Sequence, residues 1–350
     1  MATKKATKKQ KEKENENENE NENILMPEIN IINNKLNKLI FTVRYFDTHI
    51  ANALRRTLEV DVKTYSIDIS SVQFINTETK FNQERLTQIF SLIPILNDIP
   101  NVDYDNLTLK IKVDGNSEQT NGVSEIFGIV KSLMIYSDAI NVYNDDKIIN
   151  NKGIIFPGIP IVSIKQNERL EVIMKLKKDI AKKNAIYKSC CAVGYKMMDI
   201  NEKSGKSESS DNSEYNIQLT VEPCGLPIDE NGNIVLIPYP RKPIKTLTMA
   251  INSIIERLSY IKENYELENN ETIIIKNETY TMGELLQKEI LRIYPNIFCA
   301  YNVIHPLDET LRLKLLSNTE TKIEDTKMMY KMAINNLITI FNNILKEVDI

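Results

Sequence analysis

The sequence predicts an α+β protein built as an internal pseudo-dimer, with a β-rich domain inserted in its first half. Three observations predict this. A plan of strand, short helix, strand and long amphipathic helix runs twice along the chain. The two short helices match at a constant offset, Ala51 falling on Gly283 and Leu54 on Leu286, which is how a doubled unit reads. Between the first short helix and the strand that should follow it, residues 61–189 break into short β-like pieces separated by turns.

Taken in order, residues 1–23 combine a lysine cluster with a Glu–Asn alternation, a segment too polar to enter a core and expected to be a disordered tail. Its lysines read either as a solvated tail or as a nuclear-import or phosphate-contacting patch. Order is expected from about Ile24. "LNKLIFTVRY" (36–45) alternates as a strand, and Asp47 or Thr48 can cap the helix that follows. In that helix Ile50, Ala53, Leu54 and Leu58 form an apolar stripe, while Asn52, Arg55, Arg56 and Glu59 form the opposite polar one. On spacing alone the two arginines belong to a solvated face.

The insert shows strand candidates "YSIDISSVQFI" (65–75), "LTLKIKV" (107–113) and "RLEVIMKL" (169–176), with turn signals "DGN" (114–116) and "FPGIP" (156–160). Two more strands, "AVGYKMMDI" and "YNIQLTVEP", flank a polar loop at 201–214. Leu247, Ala250, Ile251, Ile254, Leu258, Ile261 and Tyr265 then keep helical spacing, with Pro243 near the start. "ELENNE" (266–271) reads as a short link, followed by the strand "TIII" and a helix from Thr281, where Thr281 and Glu284 have capping-box spacing. "LRLKLLS" (311–317) alternates. A closing helix from about 325 lines up Ala333, Leu337, Ile340, Phe341, Ile344 and Val348.

Composition narrows the function. The chain has 350 residues, 42% of them apolar, enough for a sizeable core. A net charge of -4 and a pI near 5.6 disfavour a freestanding nucleic-acid binder with a broad basic surface. No apolar run reaches the roughly 18 residues of a membrane span, and the N-terminus lacks an apolar signal region, so the expected location is intracellular. Cys190, Cys191, Cys224 and Cys299 show no C-x-x-C spacing, and His49 and His305 are far apart, so packed thiols are expected and no metal or other cofactor. The phosphate-loop, dinucleotide and zinc-protease motifs are missing. Asp145–Asp146 and "DYD" (103–105) read as loop carboxylates, so no catalytic residue is assigned. A stand-alone nucleic-acid-binding or hydrolytic protein is the rival reading.

The motifs together resemble the alpha-like subunits of multisubunit DNA-directed RNA polymerases. "ANALRRTL" (51–58), "YSIDI" (65–69), "SLIPI" (91–95), "RLEV", "YKSCCAVGY" (187–195) and "LTVEPCG" (219–225) are similar to the larger alpha-like subunit, in that order. "NETYTMGELL" (277–286), "AYNVIHPL" (300–307) and the closing helix are similar to the smaller one. The resemblance covers about 24–350 and implies both subunits fused in one chain, as in some large DNA viruses. Departures are Ala51 where the family has Gly, Ile89 and Ser91 where it has Arg and Gly, and Thr279–Tyr280 where it has Asp–His. Residues 61–189 lack the four cysteines with which some relatives hold zinc or an iron–sulfur cluster.

The resemblance implies two alpha-type dimerisation domains: the larger from 24–60 plus 190–268, the smaller from 269–350, with the β-rich domain at 61–189 between the two pieces of the first. It implies a non-catalytic assembly platform that holds the largest and second-largest polymerase subunits together. A small zinc-binding polymerase subunit is a further implied partner, with DNA touched only indirectly and no membrane. Asn52, Arg55 and Arg56 become candidates for the large-subunit contact, since an arginine fork grips carboxylates and carbonyls in pairs. Leu247, Ile251, Ile254, Leu258, Leu337, Ile340, Phe341 and Ile344 become the internal dimer interface. A viral setting would place the chain in the virion and at a cytoplasmic replication site, with the nucleus as the alternative.

Overall fold

Strand β1 (Glu28–Lys35) turns back into β2 (Lys38–Arg44), whose alternate residues Leu39, Phe41 and Val43 are buried because a period of two puts them all on one face. Helix α1 (Thr48–Val60) follows, then the insert, then the hairpin β12 (Cys190–Asp199) and β13 (Tyr215–Pro223), then helix α3 (Pro243–Glu263). The sheet order is β1-β2-β13-β12. The second half repeats this: hairpin β14 (Glu266–Asn269) and β15 (Thr272–Lys276), helix α4 (Tyr280–Ile293), hairpin β16 (Phe298–Val303) and β17 (Thr310–Leu316), helix α5 (Ile323–Val348). Its sheet order, β14-β15-β17-β16, is the same topology. This computed structural model describes residues 27–35, 38–44, 47–96, 102–116, 123–125, 132–145, 147–149, 154–199, 215–223, 242–305, 307–316 and 323–348. The expectations for the tail, the start of order at Ile24, the 201–214 loop, Asp146 and Cys224 fall outside them.

The two halves share one core. Leu54 and Leu58 of α1, Ile251, Ile254 and Leu258 of α3, Leu285 and Leu286 of α4, and Leu337, Phe341 and Ile344 of α5 pack into a single cluster together with the inner faces of both sheets. Helix α3 packs on α5, and α1 packs on both α3 and α4. Ala51 and Gly283 each stand fourth in their helices. A Cβ on Gly283 would come within 2.6 Å of the Tyr301 ring and 2.8 Å of the Leu311 side chain, so α4 lies closer to its sheet than a side chain would allow.

The insert has its own core. β3 (Lys63–Ile67), β4 (Gln73–Phe74), β5 (Leu107–Asp114), β8 (Ile140–Asn144), β9 (Lys147–Ile149) and β11 (Arg169–Ile180) form one sheet, and β6 (Val123–Glu125), β7 (Ser132–Tyr136) and β10 (Pro160–Lys165) another. Helix α2 (Gln83–Ser91) buries Leu86 and Phe90 in this core, beside Leu109, Ile111, Val172 and Met174. The insert starts and ends side by side, with Lys63 opposite Ile180 and the Lys182 amide bonded to the Val60 carbonyl at 3.0 Å. Adjacent ends of this kind let a domain sit within a fold without parting its sheet.

Five details differ from the sequence reading. Glu266–Asn269 is strand β14, paired with β15, rather than a link; only Asn264 and Tyr265 separate it from α3. Tyr265 lies past the end of α3, its ring 5.0 Å from that of Tyr330. Helix α4 begins at Tyr280 with Thr279 as its cap residue, so Thr281 is already inside the first turn and cannot serve as a capping-box N-cap. The stretch 65–75 is divided by a 3-10 turn, Ile69–Ser71, opened by the Asp68 side chain. At α1 the cap residue is Asp47, but its side chain makes no cap hydrogen bond.

Candidate partner interface

Helix α1 exists because its apolar residues recur at helical spacing and find both α3 and α4 to cover them. That packing turns Asn52, Arg55, Arg56 and Glu59 away from the core. The two arginines are not equivalent. The Arg55 guanidinium lies along the helix, donating through Nε and Nη2 to the Asn52 Oδ1 at 3.3 and 3.1 Å and through Nη1 to the Glu59 Oε2 at 3.0 Å. Arg56 is exposed, whereas Arg55 is half-buried. The fork of Arg55 is therefore held in place by its own helix, at the i+3 and i+4 spacing that brings helix side chains together.

The matching positions on α4 do something else. Gln287 donates to the Cys299 carbonyl at 2.7 Å, tying α4 to β16, and Lys288 is exposed. Of the two corresponding faces, one presents two guanidiniums and the other a single exposed lysine beside an amide turned inward.

All eight residues assigned to the internal interface are buried in the shared core: Leu247, Ile251, Ile254 and Leu258 on α3, and Leu337, Ile340, Phe341 and Ile344 on α5. Polar bonds fix the register beside them. The Tyr330 hydroxyl donates to the Ile261 carbonyl at 2.9 Å and the Thr326 hydroxyl to the Asn270 carbonyl at 2.6 Å. Burial raises the Tyr330 hydroxyl's pKa above the usual tyrosine value, so it stays a donor.

Sequence reasoning missed an ion triad in which Glu278 is buried and Arg257 and Asp61 are half-buried. Arg257 of α3 meets the Glu278 carboxylate with two prongs, Nε to Oε1 at 3.0 Å and Nη2 to Oε2 at 2.6 Å, and its Nη1 donates to Asp61 Oδ2 at 2.8 Å. Burial opposes the charge on Arg257, but Glu278 and Asp61 outweigh it and raise its pKa above the ordinary arginine value. Asp61 ends α1 and Glu278 precedes α4, so one guanidinium joins both halves at the point where the insert begins. No local spacing could have signalled residues so far apart in the chain.

His49 on α1 is buried, and its Nε2 has no hydrogen-bond partner among the described residues. His305 is exposed, its Nδ1 accepting from the Leu307 amide. No disulfide joins Cys190, Cys191 and Cys299, and burial pushes the Cys299 thiol up to about 12. Asp103 accepts from the Asp105 amide and the Asn106 side chain. Among the described residues no three His, Cys, Asp or Glu side chains gather as a metal site, and no helix is long and apolar enough to cross a membrane.

Two copies of one α+β unit, closed on each other through paired long helices, define a dimerisation fold carried within a single chain. Two family models, both described as the RNA polymerase Rpb3/Rpb11 dimerisation domain, match this chain, one at residues 27–132 and the other at residues 270–347. The chain belongs to the alpha-like subunits of multisubunit DNA-directed RNA polymerase, with a larger and a smaller alpha-like unit fused. It is 24% identical over 191 residues to DNA-directed RNA polymerase II subunit rpb3 of Dictyostelium discoideum, covering 50% of this chain and 59% of that one. It is 24% identical over 210 residues to subunit Rpo3 of Halobacterium salinarum, covering 59% and 75%. Similarity to the African swine fever virus RPB3-11 homolog runs through both halves, at 19% identity over 326 residues and 85% and 84% coverage. The chain spans a little over half the length of the two Dictyostelium relatives it matches, 59% and 53%.

Proposed function

We propose that this chain is the non-catalytic assembly platform of a DNA-directed RNA polymerase, holding the two large catalytic subunits together for transcription. The observation that carries the reading is the single core shared by two dimerisation units, which leaves the polar face of α1 turned outward. A platform needs rigidity and faces rather than reacting groups, and nucleotide addition belongs to its partners. Asn52, Arg55 and Arg56 contact the second-largest subunit, the pre-set fork of Arg55 costing little ordering on binding. The second half faces elsewhere, the largest subunit and a small zinc-binding subunit are the further partners, and DNA is reached only through the complex. The working location is intracellular, where a viral polymerase transcribes.

Affinity purification of the chain from its native source, followed by mass spectrometry, tests this. Two very large co-purifying chains are expected. A solitary monomer with hydrolytic activity would overturn the reading.

A further inference from the structure

The neck of the insert is held differently on its two sides. On the first-half side the join is apolar and hydrogen-bonded. Val62 lies in the shared core, the Thr64 hydroxyl donates to the Tyr187 carbonyl at 2.6 Å, and the Ser189 hydroxyl donates to the Leu58 carbonyl at 2.8 Å. On the second-half side the neck borders a cleft of about 640 Å³, lined also by α3 and by Asn277, Glu278 and Glu309 of the second half. Among the described residues, charged side chains bridge it at two points. The Lys182 Nζ, two residues past β11, lies 2.9 Å from the Glu309 Oε1. Arg257 joins Asp61, at the entry to the insert, to Glu278.

The second half presents its two acids on special backbone. Asn277, just before Glu278, has a φ of 62°, and Glu309 has a φ of 44°. This is the left-handed region that glycine enters freely, asparagine tolerates and glutamate avoids. The Glu278 amide donates to the Glu309 carbonyl at 3.0 Å, so the two turns move as one unit. A glycine at 309 would make the same turn without strain. What glutamate adds there is a carboxylate on Lys182, and strain kept at one position marks a contact that the surrounding fold maintains.

We propose that Glu278 and Glu309 form an ionic latch by which the second half fixes the angle of the insert. With the latch closed, the neck is held on both sides. With it open, the insert pivots on its anchored side and the cleft widens, since no strand of the insert pairs with a strand of the second half. Exposure ranks the two points. The side chains of Lys182 and Glu309 are 39% and 40% exposed, so their pair is weak and sensitive to salt, whereas Glu278 is 6% exposed and holds through Arg257. The Lys182 pair therefore releases first. The latch belongs to the chain by itself and does not depend on which polymerase subunit it binds.

The test is a distance measured across the cleft in the full chain. Nitroxides on Ile148→Cys in β9 and Thr339→Cys on α5, both exposed positions, are read by double electron–electron resonance in a Cys191→Ser, Cys224→Ser background. The parent should give one narrow distribution. Glu309→Gly removes the carboxylate and relieves the turn without touching the core, and should widen the distribution about twofold. Lys182→Glu should widen it likewise, and the exchange Lys182→Glu with Glu309→Lys should narrow it again. Asp61→Asn with Glu309→Gly should widen it further than Glu309→Gly alone, because both bridges are then weakened. Salt at about 0.5 M should broaden the parent toward the Glu309→Gly distribution. Parent-like distributions in both Glu309→Gly and Lys182→Glu would overturn the proposal, as would a widening by Lys182→Glu that the exchange does not reverse.

Discussion

Arg257 and Glu278, which belong to different halves of the chain, form a two-pronged ion pair of 3.0 and 2.6 Å with the carboxylate only 6% exposed. Removing Arg257 leaves the Glu278 carboxylate buried and uncompensated, which costs about 3–5 kcal/mol, whereas removing Glu278 leaves Arg257 still paired with Asp61. Arg257→Met is expected to lower stability by about that amount in urea unfolding, and Glu278→Gln by somewhat less, since an amide can still accept from the guanidinium. The double change Arg257→Met, Glu278→Leu should recover part of the loss. Additive losses would show that the two residues do not act as a pair.

His49 makes folding sensitive to acid. Burial lowers its pKa below the usual 6.5, against the pull of Asp47, Glu289 and Glu284, with Lys288 adding to the lowering. The unfolded chain therefore takes up a proton more readily than the folded one. This contribution to stability is whole above about pH 6.5 and declines as the pH falls through the lowered value. Urea midpoints for the parent and His49→Gln should converge between pH 7.5 and pH 5 if the substitution costs stability at neutral pH. A constant gap across that range would mean His49 titrates as it does in the unfolded chain.

The β14–β15 turn offers a clean place to divide the chain. A nick at Asn270 leaves β14 attached to the first half while its hydrogen-bond partner β15 belongs to the second. The α3–α5 packing is also unchanged. The two fragments should co-elute in size-exclusion chromatography at micromolar concentration. Their separation would mean that the covalent link, rather than the shared core, holds the halves together.

Arg55→Ala with Arg56→Ala should give a soluble protein, destabilised by about 0.5–1 kcal/mol at most, because the Arg55 bonds to Asn52 and Glu59 are partly exposed contacts within one helix. If these residues contact the second-largest subunit, each lost charge-assisted contact should weaken that interface by about 2–5 kcal/mol where it is buried. A co-expression pull-down should then lose the large subunit. Gln287→Ala with Lys288→Ala should recover it nearly as well as the parent. Equal recovery by all three would return the arginines to a solvated face.

Much of this architecture was legible because it is written in local periodicity. Ile254, Leu258, Leu337 and Phe341 announce their burial by spacing, and the match of Ala51 with Gly283 announces the repeat. β14 was not legible. It is an edge strand with a single half-buried apolar residue, Leu267, so "ELEN" carries no alternation strong enough to read. The Arg257 triad was hidden for another reason, since its members come together only when α1, α3 and the approach to α4 are packed. The bonds of Arg55 were available in principle: Asn52, Arg55 and Glu59 stand at i, i+3 and i+7, a spacing that predicts a chain of contacts along one helix face.

Only Asn264 and Tyr265 stand between α3 and the first strand of the second half. Two separate chains with these folds could be synthesised in unequal amounts, and whichever was in excess would display an uncovered apolar helix to the cell. Here every completed translation product carries its own complement. Stoichiometry is fixed at one to one, self-pairing of either half faces a tethered competitor, and no orphan surface waits for a chaperone or a protease.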